Sequence, residues 1–139
     1  MRTRYLARAV VNWLTLSTPL GLLIAVLGRA VVTRKPDGLY LAEHCHIMLP
    51  DAGAFTVGNV IITGGELADL PGTDVPAHEA AHSSQWALLG PAFLPVYLAM
   101  TAWSLRRAGD RAARNYLERW AGLARGGYVE PPNSVIRGA

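Results

Sequence analysis

The chain has 139 residues, enough for one domain and too few for several. Hydrophobic residues make up 51% and charged residues only 17%, against about 25% in soluble domains, which excludes a disordered, self-solvating chain and points to apolar surroundings. The net charge of +3 rests on arginines dispersed beside apolar runs, so nucleic acid is excluded as a partner and an anionic membrane surface is favoured, while the single cysteine, Cys45, excludes an intramolecular disulfide.

Residues 9–28 form an uncharged run of twenty, the length a transmembrane helix needs. Asn12, Thr15, Ser17, Thr18 and Pro19 make its first half polar. Arg29 stands where a signal-peptide cleavage site requires small residues, so the run is expected to be retained. Residues 1–35 are therefore expected to form an N-terminal membrane-associated helix, with membrane lipid as its partner and a membrane as its location.

After the helix the pattern changes to period two and β-forming residues. Residues 38–43 read as a short strand. Phe55-Thr56-Val57 and Val60-Ile61-Ile62-Thr63 flank Gly58-Asn59, a two-residue hairpin signal. Between these, His44 and His46 flank Cys45 and are candidate metal ligands. Residues 64–72 are a Gly-rich loop. The chain shows no internal repeat and no Gly-rich phosphate loop.

His78-Glu79-Ala80-Ala81-His82 is an H-E-x-x-H motif. Histidines four apart on a helix lie one above the other, so both imidazoles can meet one zinc ion. Glu79, one position on, points about 100° away and can serve as a general base instead of a ligand. The helix itself is well delimited. Thr73 and Asp74 are capping residues, Pro76 falls in the first turn, and Gly90-Pro91 is a stop, which places the helix over residues 75–89. Trp86 and Leu89 continue the histidine face as an apolar stripe, as a buried metal site requires.

A second uncharged run covers residues 87–105. Gly90-Pro91 and Pro95 break it, and Tyr97, Thr101, Trp103 and Ser104 give it polar tips. It is expected to hold the end of the motif helix, a turn, and a second helix over residues 93–107 that lies in a membrane interface or core.

Zinc in a hydrolase takes three protein ligands and keeps one position open, so a third ligand is needed. Downstream acidic residues are Asp110, Glu118 and Glu130. Asp110 follows Gly109 and reads as a helix cap, and Glu130 lies in a Pro-rich tail. Glu118 sits mid-helix in residues 114–121, where its competing role is an i,i+4 ion pair with Arg114. Spacing favours Glu118 and leaves His44 and His46 as rivals. A shared zinc site also forbids residues 87–105 from spanning, because a crossing would put His82 and Glu118 about 30 Å apart. Were there no metal, the chain would read as a two-span membrane protein.

The combination of Ala54-Phe55-Thr56-Val57-Gly58-Asn59-Val60, the motif with Gln85 three positions on, residues 90–98, and Asn115-Tyr116-Leu117-Glu118-Arg119-Trp120-Ala121 resembles the gluzincin branch of the zincin metallopeptidases. It is most similar to short bacterial H-E-x-x-H proteins that carry an N-x-x-E-R-x-A box. The resemblance is strong over residues 54–128 and weak over 12–53. It implies His78, His82 and Glu118 as zinc ligands and Glu79 as base, and His44-Cys45-His46 has no counterpart in it. The expected architecture is α+β: a zincin-like minidomain over residues 36–128, a disordered tail over 129–139, and the N-terminal membrane helix. The expected function is membrane-associated, zinc-dependent hydrolysis of peptide bonds in a peptide or protein substrate. Tyr116 and Tyr128 are the downstream candidates for stabilising an oxyanion. The alternative is a membrane-attached structural zinc protein without turnover, its site closed by His44, His46 or Cys45.

Overall fold

The run Val60–Thr63 (β4) is buried along its whole length, as a strand apolar at nearly every position must be when both faces are covered. In the computed structural model, which describes residues 2–129, it is flanked by Tyr40–Glu43 (β2) and Ala54–Val57 (β3). Val31–Arg34 (β1) lies beyond β2, giving the order β1-β2-β4-β3. β2 and β4 run parallel, whereas β1–β2 and β3–β4 are antiparallel. The tail beyond Val129 lies outside the described residues.

Among the described residues there are five α-helices: Thr3–Leu14 (α1), Ser17–Leu27 (α2), Val75–Leu89 (α3), Phe93–Ala108 (α4) and Tyr116–Ala121 (α5). The fold is α+β. Alternation along β4 divides the core. Val60 and Ile62 pack with Ala42, Cys45 and Ala25 of α2, while Ile61 turns the other way, to Leu39, Leu41 and Val75 of α3. A third cluster joins Val57, Trp86, Phe93 and Leu117, tying β3, α3, α4 and α5 together. That last cluster lies beside the histidines, with the Phe93 ring 6.3 Å from that of His82.

Local signals set several boundaries. Asp74 caps α3 by accepting from the Ala77 N–H at 3.2 Å, and Gly90, at φ 56, ends the helix. The hairpin turns at Gly58, whose φ of 61 with an ordinary φ at Asn59 is the pattern of a type II′ turn. A Cβ at Gly58 would also lie 2.5 Å from the Ser17 carbonyl carbon, so only glycine lets α2 dock there.

Three expectations need correction. The single N-terminal helix is two helices that meet at 74°, because Leu16 adopts a left-handed φ of 62. Pro19 then falls in the first turn of α2, where its missing N–H is of no consequence. β1 carries no alternation that would announce it: all four of its residues are exposed on an edge. Glu118 is not mid-helix, since α5 starts at Tyr116 with Asn115 as its cap, which leaves Arg114 outside the helix.

The N-terminal helices pack with their polar side inward. Arg8, Ala9 and Asn12 of α1 and Ser17, Thr18, Gly21 and Ala25 of α2 are buried. Asn12 donates to Asn59 Oδ1 at 2.8 Å and to the Ser83 carbonyl at 3.0 Å, and Asn59 donates to the Ala9 carbonyl. These bonds tie the inner face to β4 and α3, although Asn12 Oδ1 and Arg8 Nε keep no partner, and Leu6, Val10, Trp13, Leu14, Leu20, Leu23 and Val26 stand outward.

By length and hydropathy the stretch Val75–Ala108 could cross a membrane. A straight helix, however, would separate residues 82 and 97 by about 22 Å along its axis. Their rings are 6.1 Å apart, so the chain turns back at Gly90–Ala92. Gly90-Pro91 turns the chain as expected, whereas Pro95 falls in the first turn of α4 and breaks nothing, and residues 87–105 are not one rod.

Candidate metal centre

α3 presents His78 and His82 on the face that meets α5, and α5 presents Glu118 from its first turn. Asn115 sets that helix by accepting from the N–H groups of Leu117 and Glu118, which frees the Glu118 side chain to turn toward the histidines. All three side chains are buried. His78 Nε2 lies 3.0 Å and His82 Nε2 3.2 Å from Glu118 Oε2, and the two Nε2 atoms are 3.2 Å apart. Ligands bound tetrahedrally to zinc at about 2.05 Å sit about 3.3 Å from one another, so this triangle has the size of a zinc face.

The protonation pattern fits as well. His78 Nδ1 faces the Gly122 carbonyl at 2.8 Å, and a carbonyl only accepts, so the proton is on Nδ1. The Gln85 amide donates to the Leu117 carbonyl at 2.8 Å, which fixes its oxygen on the other side, 2.9 Å from His82 Nδ1. His82 therefore also carries its Nδ1 proton. Both imidazoles are held in the tautomer whose Nε2 lone pair points at the other ligands, the arrangement that orients histidines on metals. Tyr97, from α4, donates a short hydrogen bond to the remaining Glu118 oxygen.

Two nitrogen lone pairs and a carboxylate this close repel unless a cation lies among them. Burial alone would lower the His82 pKa, but the Glu118 hydrogen bond and charge, with smaller help from Glu79 and Gln85, raise it to about 9. Burial likewise disfavours the Glu118 anion, yet the contacts with His78 and His82, the His82 charge and the hydrogen bond donated by Tyr97 hold its carboxyl well below the usual range.

Glu79 stands apart from this triangle. Thr56 of β3 donates to its Oε2 at 2.6 Å, and Glu79 lines a cavity of about 170 Å³ shared with Ala54, Gly126, Gly127 and Tyr128. The Tyr128 ring is 5.8 Å from the His78 ring, and burial followed by the charges of Glu118 and Glu79 pushes its hydroxyl pKa up, so it stays a donor. Tyr116 is 63% exposed and stacks under Arg119, outside the site. His46 is tied through Nδ1 to the Gly28 carbonyl, His44 is exposed, and Cys45 is buried beside the Ile24 carbonyl. Among the described residues, the one group of three side chains able to hold a metal is His78, His82 and Glu118.

Gly122, Gly126 and Tyr97 are not legible in the sequence as parts of the site, and Gln85 enters only as a residue of the resemblance, without a role. A Cβ at Gly126 would lie 2.6 Å from His78 Cε1, so the absence of a side chain there makes room for the imidazole. Gly126→Ala is expected to push the ring off the triangle and weaken zinc binding about 10–100-fold, the usual cost of losing an outer positioning contact. Competition against a zinc chelator measures it, and unchanged affinity would mean that His78 is positioned by other means. Comparison of the chain with family models, curated proteins and solved structures finds no match.

Proposed function

We propose that this chain is a membrane-associated, zinc-dependent metallopeptidase with a zincin-like minidomain, in which His78, His82 and Glu118 hold zinc and Glu79 is the general base. The observation that carries the reading is the pair of imidazoles locked by Gly122 and Gln85 with both Nε2 atoms aimed at one carboxylate oxygen. Three ligands, with no fourth brought to them by His44, Cys45 or His46, leave a position open, which favours catalysis over a closed structural site.

Zinc bound there would polarise the scissile carbonyl and acidify the attacking water. Glu79, held at Oε2 by Thr56, takes the proton from that water and delivers it to the leaving amine. Tyr128 supplies a hydroxyl donor at the cavity for charge developing on the carbonyl oxygen. β3 is an edge strand whose Thr56 carbonyl already accepts from the Trp86 indole, so a peptide would meet this edge only at its start, where Ala54 lines the same cavity as Glu79.

Membrane association is supported by the outward faces. Leu14 is 77% and Leu88 72% exposed, and Leu94, Leu98 and Trp103 of α4 are exposed as well. α1 and α2, with 12 and 11 residues, each reach only about 16–18 Å, short of a hydrocarbon core of about 30 Å. A bent pair of this size suits one leaflet better than a crossing.

The reading is tested with the full chain on phospholipid vesicles, incubated with a mixed peptide pool. Hydrolysis is expected only with zinc: chelation removes it, added zinc restores it, and magnesium does not. Equal turnover in chelator would exclude a metallopeptidase.

A further inference from the structure

On the opposite side of α3 from the histidines is a second cavity, of about 540 Å³, whose wall includes Arg4 and Arg8 of α1 and Arg125 of the segment after α5. Its floor is built from small residues of α3, Ala77, Ala80 and Ala81, which leave the space open. Three guanidinium groups face one carboxylate there, Asp37, and Asp37 is already engaged: Arg8 donates to its carbonyl at 2.8 Å and sits 3.8 Å from its Oδ2.

Arg8 is 6% exposed, and its Nε has no hydrogen-bond partner. A buried donor on a charged group is costly to leave unmade. Burial lowers the Arg8 pKa even though Asp37 and Tyr5 oppose the shift, so its charge is under-compensated. Arg4 and Arg8 also share one ring, lying 4.8 and 5.2 Å from the Tyr5 centroid. Two cations on one aromatic ring, with a third across the cavity, share a single carboxylate, Asp37. The end of α3 does not supply the attraction, because the Ala77 N–H is already taken by Asp74.

We infer that this cavity binds a phosphate group, and that the phosphate belongs to an anionic phospholipid. Guanidinium forks match phosphate oxygens in charge and geometry. The lipid source is favoured by position. Arg4 and the exposed Leu14 lie ten residues apart on α1, about 15 Å along its axis. Half of a hydrocarbon core is also about 15 Å, so a chain with Leu14, Leu16 and Leu88 sunk toward the bilayer centre holds Arg4 at the level of the headgroups. The inference does not depend on zinc or on hydrolysis, and its test reads neither.

The test is vesicle flotation of the full chain, with vesicles of phosphatidylcholine alone or of equal parts phosphatidylcholine and phosphatidylglycerol. Wild type is expected to bind the anionic vesicles at least about tenfold more tightly. Arg4→Ala with Arg125→Ala, both exposed residues whose loss should leave the thermal unfolding midpoint unchanged, is expected to remove that preference while keeping the binding to phosphatidylcholine. Arg106→Ala with Arg107→Ala, at the end of α4, is the control for diffuse charge and should lose at most about threefold. Equal losses from the two pairs, or no preference in wild type, would overturn the site. Inorganic phosphate titrated into the detergent-solubilised chain separates the sources: millimolar phosphate that stabilises wild type but not the groove variant, with no preference for anionic vesicles, would overturn the lipid assignment.

Discussion

Zinc is expected to bind the purified chain at one ion per molecule, and His78→Ala, His82→Ala and Glu118→Ala are each expected to lose nearly all of it. Each variant removes one corner of a triangle whose sides are 3.0–3.2 Å, leaving two donors where zinc needs three from the protein. The loss should exceed the roughly 10–100-fold that an outer hydrogen-bond partner contributes. Glu118→Gln refines the result: the amide keeps the size and can still accept from Tyr97, but it brings no charge to the two imidazoles. His44→Ala and His46→Ala should retain full zinc, since His46 is held at Gly28 and His44 faces solvent. Metal content by mass spectrometry, with circular dichroism as a check on folding, measures the series. Full occupancy in the Glu118→Ala chain would overturn the ligand set, and loss of zinc in the His46 variant would revive the closed structural site.

Glu79→Gln is expected to keep zinc and to lower hydrolysis by about 10²–10⁴-fold, the range for removal of a general base. The reason is its place on the helix. Glu79 follows His78 by about 100° of rotation, so its carboxylate meets Thr56 and the small cavity instead of joining the triangle. Glutamine preserves the Thr56 contact, because its carbonyl oxygen can accept the same hydroxyl. Turnover at saturating peptide, beside metal content of the same sample, separates the two roles. Zinc leaving together with activity would make Glu79 a structural residue of the site, and the proposed mechanism would fall.

The chemistry-bearing helix is legible because its information is local. Asp74, Pro76 and Gly90 delimit Val75–Leu89, and the four-residue spacing of His78 and His82 fixes their common face without reference to the rest of the chain. The Gly58-Asn59 hairpin and the start of α4 at Phe93, behind Gly90-Pro91, are local in the same sense. Glu118 is partly so: its box reads as a helix over residues 114–121, but the Asn115 cap that puts it in the first turn, and the crossing of its side chain to α3, depend on what lies opposite.

The tertiary structure decided what depends on distant residues. Hydropathy adds up apolar side chains without asking which way they face, so residues 9–28 read as one anchor. The left-handed Leu16 and the buried bonds of Asn12 and Asn59 instead made a bent pair with its polar side inward. β1 and the parallel pairing of β2 with β4 leave no period of their own, since they arise from sheet register. Gln85 lies on α3 with the histidines, Gly122 and Gly126 in the turn after α5, and Tyr97 on α4, three separate segments. Their roles as tautomer lock, carbonyl acceptor, open space and carboxylate partner exist only where folding brings those segments to the same two imidazoles and one carboxylate.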